Sequence, residues 1–150
     1  METIEEFITK HEGRRKKPYP DTSKPPKMTI GVGWNMDANP LPKEIADYLK
    51  KHGEITDVMI DILLSLSVKN AISDCLDLFP TWDNISLNRR TALIDFVFQL
   101  GKTKALHFHH TIAAINTGRW EDAANHMRQS AWAKQVPKRA VEVTDLIEAG

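Results

Sequence analysis

Met28-Thr29-Ile30-Gly31-Val32-Gly33-Trp34 alternates apolar with small or polar residues at a period of two, and its reading decides the fold. In an extended chain Met28, Ile30, Val32 and Trp34 share one face, and Thr29, Gly31 and Gly33 leave the other nearly bare. Just upstream, Pro18 and Pro20 forbid a helix, and Thr22-Ser23-Lys24-Pro25-Pro26 is turn chemistry. The segment therefore reads as a small β-hairpin, and its flanks read as helices. Thr3-Ile4-Glu5-Glu6 is a capping box, Ile4, Phe7, Ile8 and His11 make one apolar stripe, and Gly13 is a natural stop. Beyond Asn39-Pro40 and Pro42 a helix is expected from about Lys43 to Lys51, ended by His52-Gly53.

Further out the pattern is helical. Thr56 caps a long helix that lasts until Pro80, with Val58, Ile62, Leu66, Ala71, Ile72, Cys75 and Leu76 available for its inward face. Ser86 caps a helix from about Leu87 to Leu100 that is apolar nearly all round, and so central and buried, with Ala92, Leu93, Phe96, Val97 and Leu100 inward. Shorter helices are expected at about Thr111 to Asn116, Trp120 to Met127 and Arg139 to Ala149, with Gly101, Gly118 and Pro137 as breaks. The fold class is α+β: one domain over 1–150, with a small β-containing lobe at about 13–55 beside a helical lobe made of 1–12 and 56–150.

Composition bounds the function. The chain has 150 residues, 41% of them hydrophobic and 27% charged, with 20 basic against 20 acidic residues and one cysteine, which excludes disordered and disulfide-scaffold proteins. No apolar stretch approaches the roughly 20 residues that a membrane span needs. The N-terminus is acidic where a secretory signal would be basic, and lone Cys75 suits a reducing compartment. A net charge of zero argues against a dedicated nucleic-acid binder. The charge is uneven, however: Lys10, Arg14, Arg15, Lys16, Lys17, Lys24 and Lys27 face only Glu12 and Asp21 in the same stretch.

Those two carboxylates, with Thr29, form the constellation that could carry chemistry. Glu12 falls where the first helix ends, and a carboxyl group at the negative end of a helix dipole is disfavoured in its charged form. Protonated, it would suit a general acid acting on a glycosidic oxygen. Asp21 lies in a solvated, hydroxyl-bearing turn and should stay ionised, while Thr29 could hold a water or the sugar. On spacing alone a surface glutamate and a turn aspartate remain the commoner reading.

Five ordered blocks change that weighting. His11-Glu12-Gly13, Tyr19-Pro20-Asp21-Thr22 with Met28 to Gly33, Phe96-Val97-Phe98-Gln99-Leu100-Gly101, Gly118-Arg119-Trp120-Glu121-Asp122-Ala123-Ala124, and Ser130-Ala131-Trp132-Ala133-Lys134-Gln135-Val136-Pro137-Lys138-Arg139-Ala140 follow one another at compatible spacing. Together they resemble the phage-type lysozymes, the endolysins of glycoside hydrolase family 24, over nearly the whole chain. The resemblance implies a lysozyme-like fold with a cleft between the lobes. It implies hydrolysis of the β-1,4 bond between N-acetylmuramic acid and N-acetylglucosamine in bacterial peptidoglycan, without a cofactor. It further implies Glu12 as general acid, Asp21 as second carboxylate, Thr29 positioning the attacking water, and Arg139 pairing with Glu12, where a guanidinium would favour the charged form against the helix end. Phe98, Gln99 and Phe108 are placed at the cleft. A monomer is expected, held in the host cytoplasm until it reaches the wall, with neither nucleic acid nor inserted membrane as partner.

The chain also departs from the pattern. Trp34 stands where the best-known relatives have histidine, and the hairpin tip from Ser23 to Lys27 is longer by about two residues. Other signals are weaker. Gly31-x-Gly33 lacks the third glycine and the helix start of a nucleotide loop, so bare backbone for close sugar approach is its better use. His107-Phe108-His109-His110 has no partner cluster at metal-ligand spacing, so no metal site is expected. Arg14-Arg15-Lys16-Lys17 is a solvated face by default, with attraction of peptide carboxylates as its functional use. The rivals to hydrolysis are a lytic transglycosylase cutting the same bond, a wall-binding module without catalysis, and a polyanion or membrane-surface binder.

Overall fold

A computed structural model describes residues 2–150. Nine helices and three strands follow in the order α1 (Ile4–Glu12), β1 (Arg15–Pro20), β2 (Met28–Gly31), β3 (Trp34–Asn35), α2 (Lys43–His52), α3 (Asp57–Leu78), α4 (Leu87–Leu100), α5 (Lys102–Ala105), α6 (His109–Asn116), α7 (Trp120–Arg128), α8 (Ala131–Gln135) and α9 (Pro137–Ala149) among the described residues, with a short 3-10 turn at Trp82–Asn84. The architecture is α+β, mostly helical with a small antiparallel sheet. The chain divides into two compact units, Met1–Ser67 and Val68–Gly150.

In the first unit the expected capping box is formed: Thr3 Oγ1 accepts the Glu6 amide at 3.1 Å and the Glu6 carboxylate accepts the Thr3 amide at 3.2 Å. The sheet order is β1-β2-β3, with Tyr19 opposite Thr29, Pro20 opposite Met28 and Ile30 opposite Trp34. Pro18 and Pro20 are tolerated because β1 is an edge strand. The stretch from Met28 to Trp34 is not one continuous strand. Gly31 and Gly33 have φ of +64° and +68°, a left-handed conformation that reverses the chain and folds β3 back on β2. Met28 is consequently exposed, Thr29 is buried, and Ile30, Val32 and Trp34 join Phe7, Ile8, Ile45 and Ile55 in the core.

The inward face of α3 also differs from the expected one. Ala71 and Cys75 are buried as expected, but Val58, Ile62, Leu66 and Leu76 are exposed, and Ile60, Leu63, Leu64, Val68 and Leu78 are buried. A helix with apolar residues on two sides carries two candidate stripes, and only its surroundings choose between them.

The second unit centres on α4, capped by Ser86 as expected, with Ala92, Leu93, Ile94, Phe96 and Val97 all buried. Helix α9 packs on both α4 and α7, and α6 packs on α7. Helices α5 and α8 are each too short to show a periodicity in sequence. Pro137 starts α9 instead of breaking the chain before it, because the first helical position needs no amide hydrogen.

Candidate active site

Glu12 is the last residue of α1, and Gly33 of the β2–β3 turn lies against it. A methyl group built on Gly33 would sit 2.8 Å from Glu12 Oε2, closer than real side chains approach, and a tight 3.1 Å from its Cδ. The other bare glycine, Gly31, faces Ile60 and Leu63 at 3.5–3.9 Å. The open faces of these glycines therefore accommodate protein atoms, one of them the Glu12 carboxyl group, where the sequence suggested close approach of a sugar.

Asp21 follows β1 directly. Its Oδ1 accepts three hydrogen bonds, from the Lys27 amide at 2.9 Å, the Ser23 amide at 3.0 Å and the Ser23 hydroxyl at 2.5 Å. Donors to a carboxylate favour its charged form, and the Lys27 amide followed by the Ser23 hydroxyl hold Asp21 below the usual carboxylate range. The Lys27 peptide group also joins Asp21 to Thr29. Its carbonyl accepts the Asp21 amide at 2.9 Å and the Thr29 hydroxyl at 3.1 Å. The Thr29 proton is thus committed to protein, and the oxygen that remains is an acceptor.

Tyr19 is a member of this cluster to which the sequence assigned no role. Its ring carries the Arg15 guanidinium 4.5 Å from its centroid. Burial chiefly, then Glu12, push the phenol up; Arg15 opposes them and Asp21 adds to them. Tyr19 therefore lies within electrostatic reach of both carboxylates. Its sequence signal was its place at the head of the Tyr19-Pro20-Asp21-Thr22 block, two residues before Asp21.

The structure divides the basic run. Arg14 Nη1 donates to Asp61 at 2.8 Å and its Nη2 to the Asp57 carbonyl at 2.9 Å, Lys16 lies 3.5 Å from Asp57, and Lys10 lies 3.0 Å from Glu2. Trp34 is 8% exposed, and its indole N–H donates to the Asn39 carbonyl at 3.0 Å. The residue standing in for the family histidine is thus an anchor for the turn that follows β3.

The Phage lysozyme family model matches residues 9–145. The chain belongs to the phage lysozyme family. Among its relatives are two proteins of Dictyostelium discoideum, "Probable T4-type lysozyme 2" and "Probable T4-type lysozyme 1", 27% and 28% identical over all of this chain and 96% of each relative. A third, "Pre-baseplate central spike protein Gp5" of Enterobacteria phage T4, is 29% identical over 99% of this chain but only 28% of that protein's length.

The second unit holds the remaining residues that the phage lysozyme pattern singles out. Gln99, at the end of α4, accepts the Trp132 indole N–H at 2.6 Å through Oε1, so its amide nitrogen points its donors elsewhere. Trp132 and Phe108 both meet the Phe96 ring edge-on, at 4.9 and 5.0 Å, and Phe98 is half-exposed. Arg139 is bound by Asp95, a residue the sequence reading passed over. Nε donates to Oδ2 at 2.9 Å and Nη2 to Oδ1 at 2.7 Å, with Asp95 fully buried. The available signal was a single acid between Ile94 and Phe96 in an apolar run. His110, from the cluster at the start of α6, stacks on His126 of α7 with ring centroids 5.2 Å apart.

Proposed function

We propose that this phage lysozyme family member is a muramidase, hydrolysing the β-1,4 bond between N-acetylmuramic acid and N-acetylglucosamine in peptidoglycan. Family membership supports the substrate class, and the hydrogen bonding of Asp21 carries the assignment of roles. A carboxylate with three donors on one oxygen is a poor proton donor, so the acid falls to Glu12, at the end of α1 against Gly33. Asp21 and Thr29 both present acceptors, since the Thr29 proton goes to Lys27. Two acceptors can take both protons of one water and leave its lone pair for the anomeric carbon, on the face opposite the leaving group. Protonation of the glycosidic oxygen by Glu12 then accompanies attack by that water, and the proton released passes to Asp21.

The test is mass analysis of peptidoglycan digested by the wild type and by Glu12→Gln. Hydrolysis gives products heavier by one water than the anhydro ends a transglycosylase would leave, and the folded E12Q variant releases none. Full turnover by E12Q overturns the role of Glu12. Wall binding without release by the wild type would favour a non-catalytic module.

A further inference from the structure

We propose that Arg15 forms an anion-binding subsite beside the two carboxylates, and that its ligand is a free carboxylate of the peptide stems carried by peptidoglycan. The substrate class rests on the muramidase reading above; the site itself stands on the geometry of β1.

Three cations of the basic run are engaged with acids, as Lys10 is with Glu2, Arg14 with Asp57 and Asp61, and Lys16 with Asp57. Arg15 has no acidic partner among the described residues. Its contact is the Tyr19 ring, 4.5 Å from the guanidinium carbon. A cation held over an aromatic ring in this way spends none of its N–H groups on a hydrogen-bond acceptor, and the planar fork remains to donate to a carboxylate. Tyr19 is itself fixed, paired opposite Thr29 in the sheet and half-buried. The cation is therefore held before any ligand arrives, and binding costs little further ordering of its long side chain.

The location also supplies a need. Tyr19 lies within electrostatic reach of Glu12, Asp21 and Arg15 together. Two carboxylates at one centre repel a substrate that carries carboxylates of its own, and a guanidinium held on the Tyr19 ring offsets that repulsion. Lys17, Lys24 and Lys27 add positive charge nearby, but an ammonium offers no planar fork for recognition.

The test measures binding in the E12Q background by calorimetry, using soluble glycan fragments in three forms. One carries stems with free carboxylates, the second has those carboxylates converted to amides, and the third has its stems removed so that only the lactyl carboxylate is free. Arg15→Gln should weaken binding of the first about tenfold, the loss of one charge-assisted contact. It should leave the second unchanged, and Arg15→Lys should keep part of the affinity. Lys16→Gln, whose ammonium faces Asp57, should alter none of the three. Equal losses on the free and amidated forms, or no loss on the free form, would overturn the subsite. A loss on the third form as large as on the first would move the ligand to the lactyl group and overturn the assignment to stems. Cleavage of the first fragment is followed separately with Glu12 intact, so failure of the muramidase reading shows there while the affinities still decide on Arg15.

Discussion

Arg139 and Asp95 meet through two parallel contacts, Nη2 to Oδ1 at 2.7 Å and Nε to Oδ2 at 2.9 Å, in a site where Arg139 is 5% exposed and Asp95 not at all. The pair joins the start of α9 to the middle of α4. Its planar geometry matches both partners, which is what makes burial of two charges tolerable.

Removing one member should therefore cost far more than removing both. Asp95→Ala leaves a guanidinium buried beside an empty place, and a loss of about 3–5 kcal/mol is expected in urea unfolding. Asp95→Asn, which keeps one acceptor, should lose less. Asp95→Leu combined with Arg139→Met should recover much of the stability lost by Asp95→Leu alone; a double variant as unstable as the sum of the singles would contradict the pairing.

Asp21 predicts a pH effect with a definite sign. Its folded-state pKa is depressed, first by the Lys27 amide and then by the Ser23 hydroxyl. The favourable contribution is thus present above the unfolded aspartate value and is lost as pH falls through the folded one. Ser23→Ala removes the 2.5 Å hydroxyl donor, so Asp21 should titrate at higher pH, back toward ordinary aspartate. Carbon-detected NMR of the carboxyl groups reads this directly, and the acidic limb of the activity profile should move up with it. An unmoved Asp21 titration would show that the hydroxyl contributes nothing.

Gly33 and Gly53 separate backbone strain from steric exclusion. Both have positive φ, +68° and +76°, but a methyl group at Gly53 meets nothing within 4 Å, whereas at Gly33 it strikes Glu12. Each alanine variant should lose about 1 kcal/mol from the left-handed backbone. Only Gly33→Ala should also lower wall-lytic kcat, by about tenfold or more, through displacement of the Glu12 carboxyl group. Equal activities of the two variants would remove Gly33 from the positioning of Glu12.

Cys75 is fully buried, and burial, with some help from Asp74, pushes its thiol up to about 12. The thiolate is the reactive form, so a thiol reagent at pH 8 should leave the native protein essentially unlabelled and modify it fully in denaturant. Stoichiometric labelling of the folded state within minutes would show that the cysteine is accessible.

The basic run marks the limit of sequence reading most clearly. Seven cations near two acids were visible in the chain, yet Asp57 and Asp61, which bind Arg14 and Lys16, lie more than 40 positions downstream. Nothing local could have selected Arg15 as the cation held on an aromatic ring and not by an acid. The same holds for Asp95, whose partner is 44 residues away, and for α3, whose two apolar stripes look alike until the rest of the fold covers one of them.

What the sequence determined by itself was local chemistry. The hydroxyls of Thr3, Thr56 and Ser86 accept amide protons three residues on, and Gly13 and Gly101 follow the ends of their helices, so these boundaries were legible from neighbours in the chain. The order and spacing of the five motif blocks likewise singled out Glu12, Asp21 and Thr29 as candidates. Tertiary structure alone decided which face of a helix is covered, which charge answers which, and that the missing side chain of Gly33 makes room for Glu12. Those choices depend on distances between residues far apart in the chain, and such distances exist only once the backbone has closed its turns and buried its core.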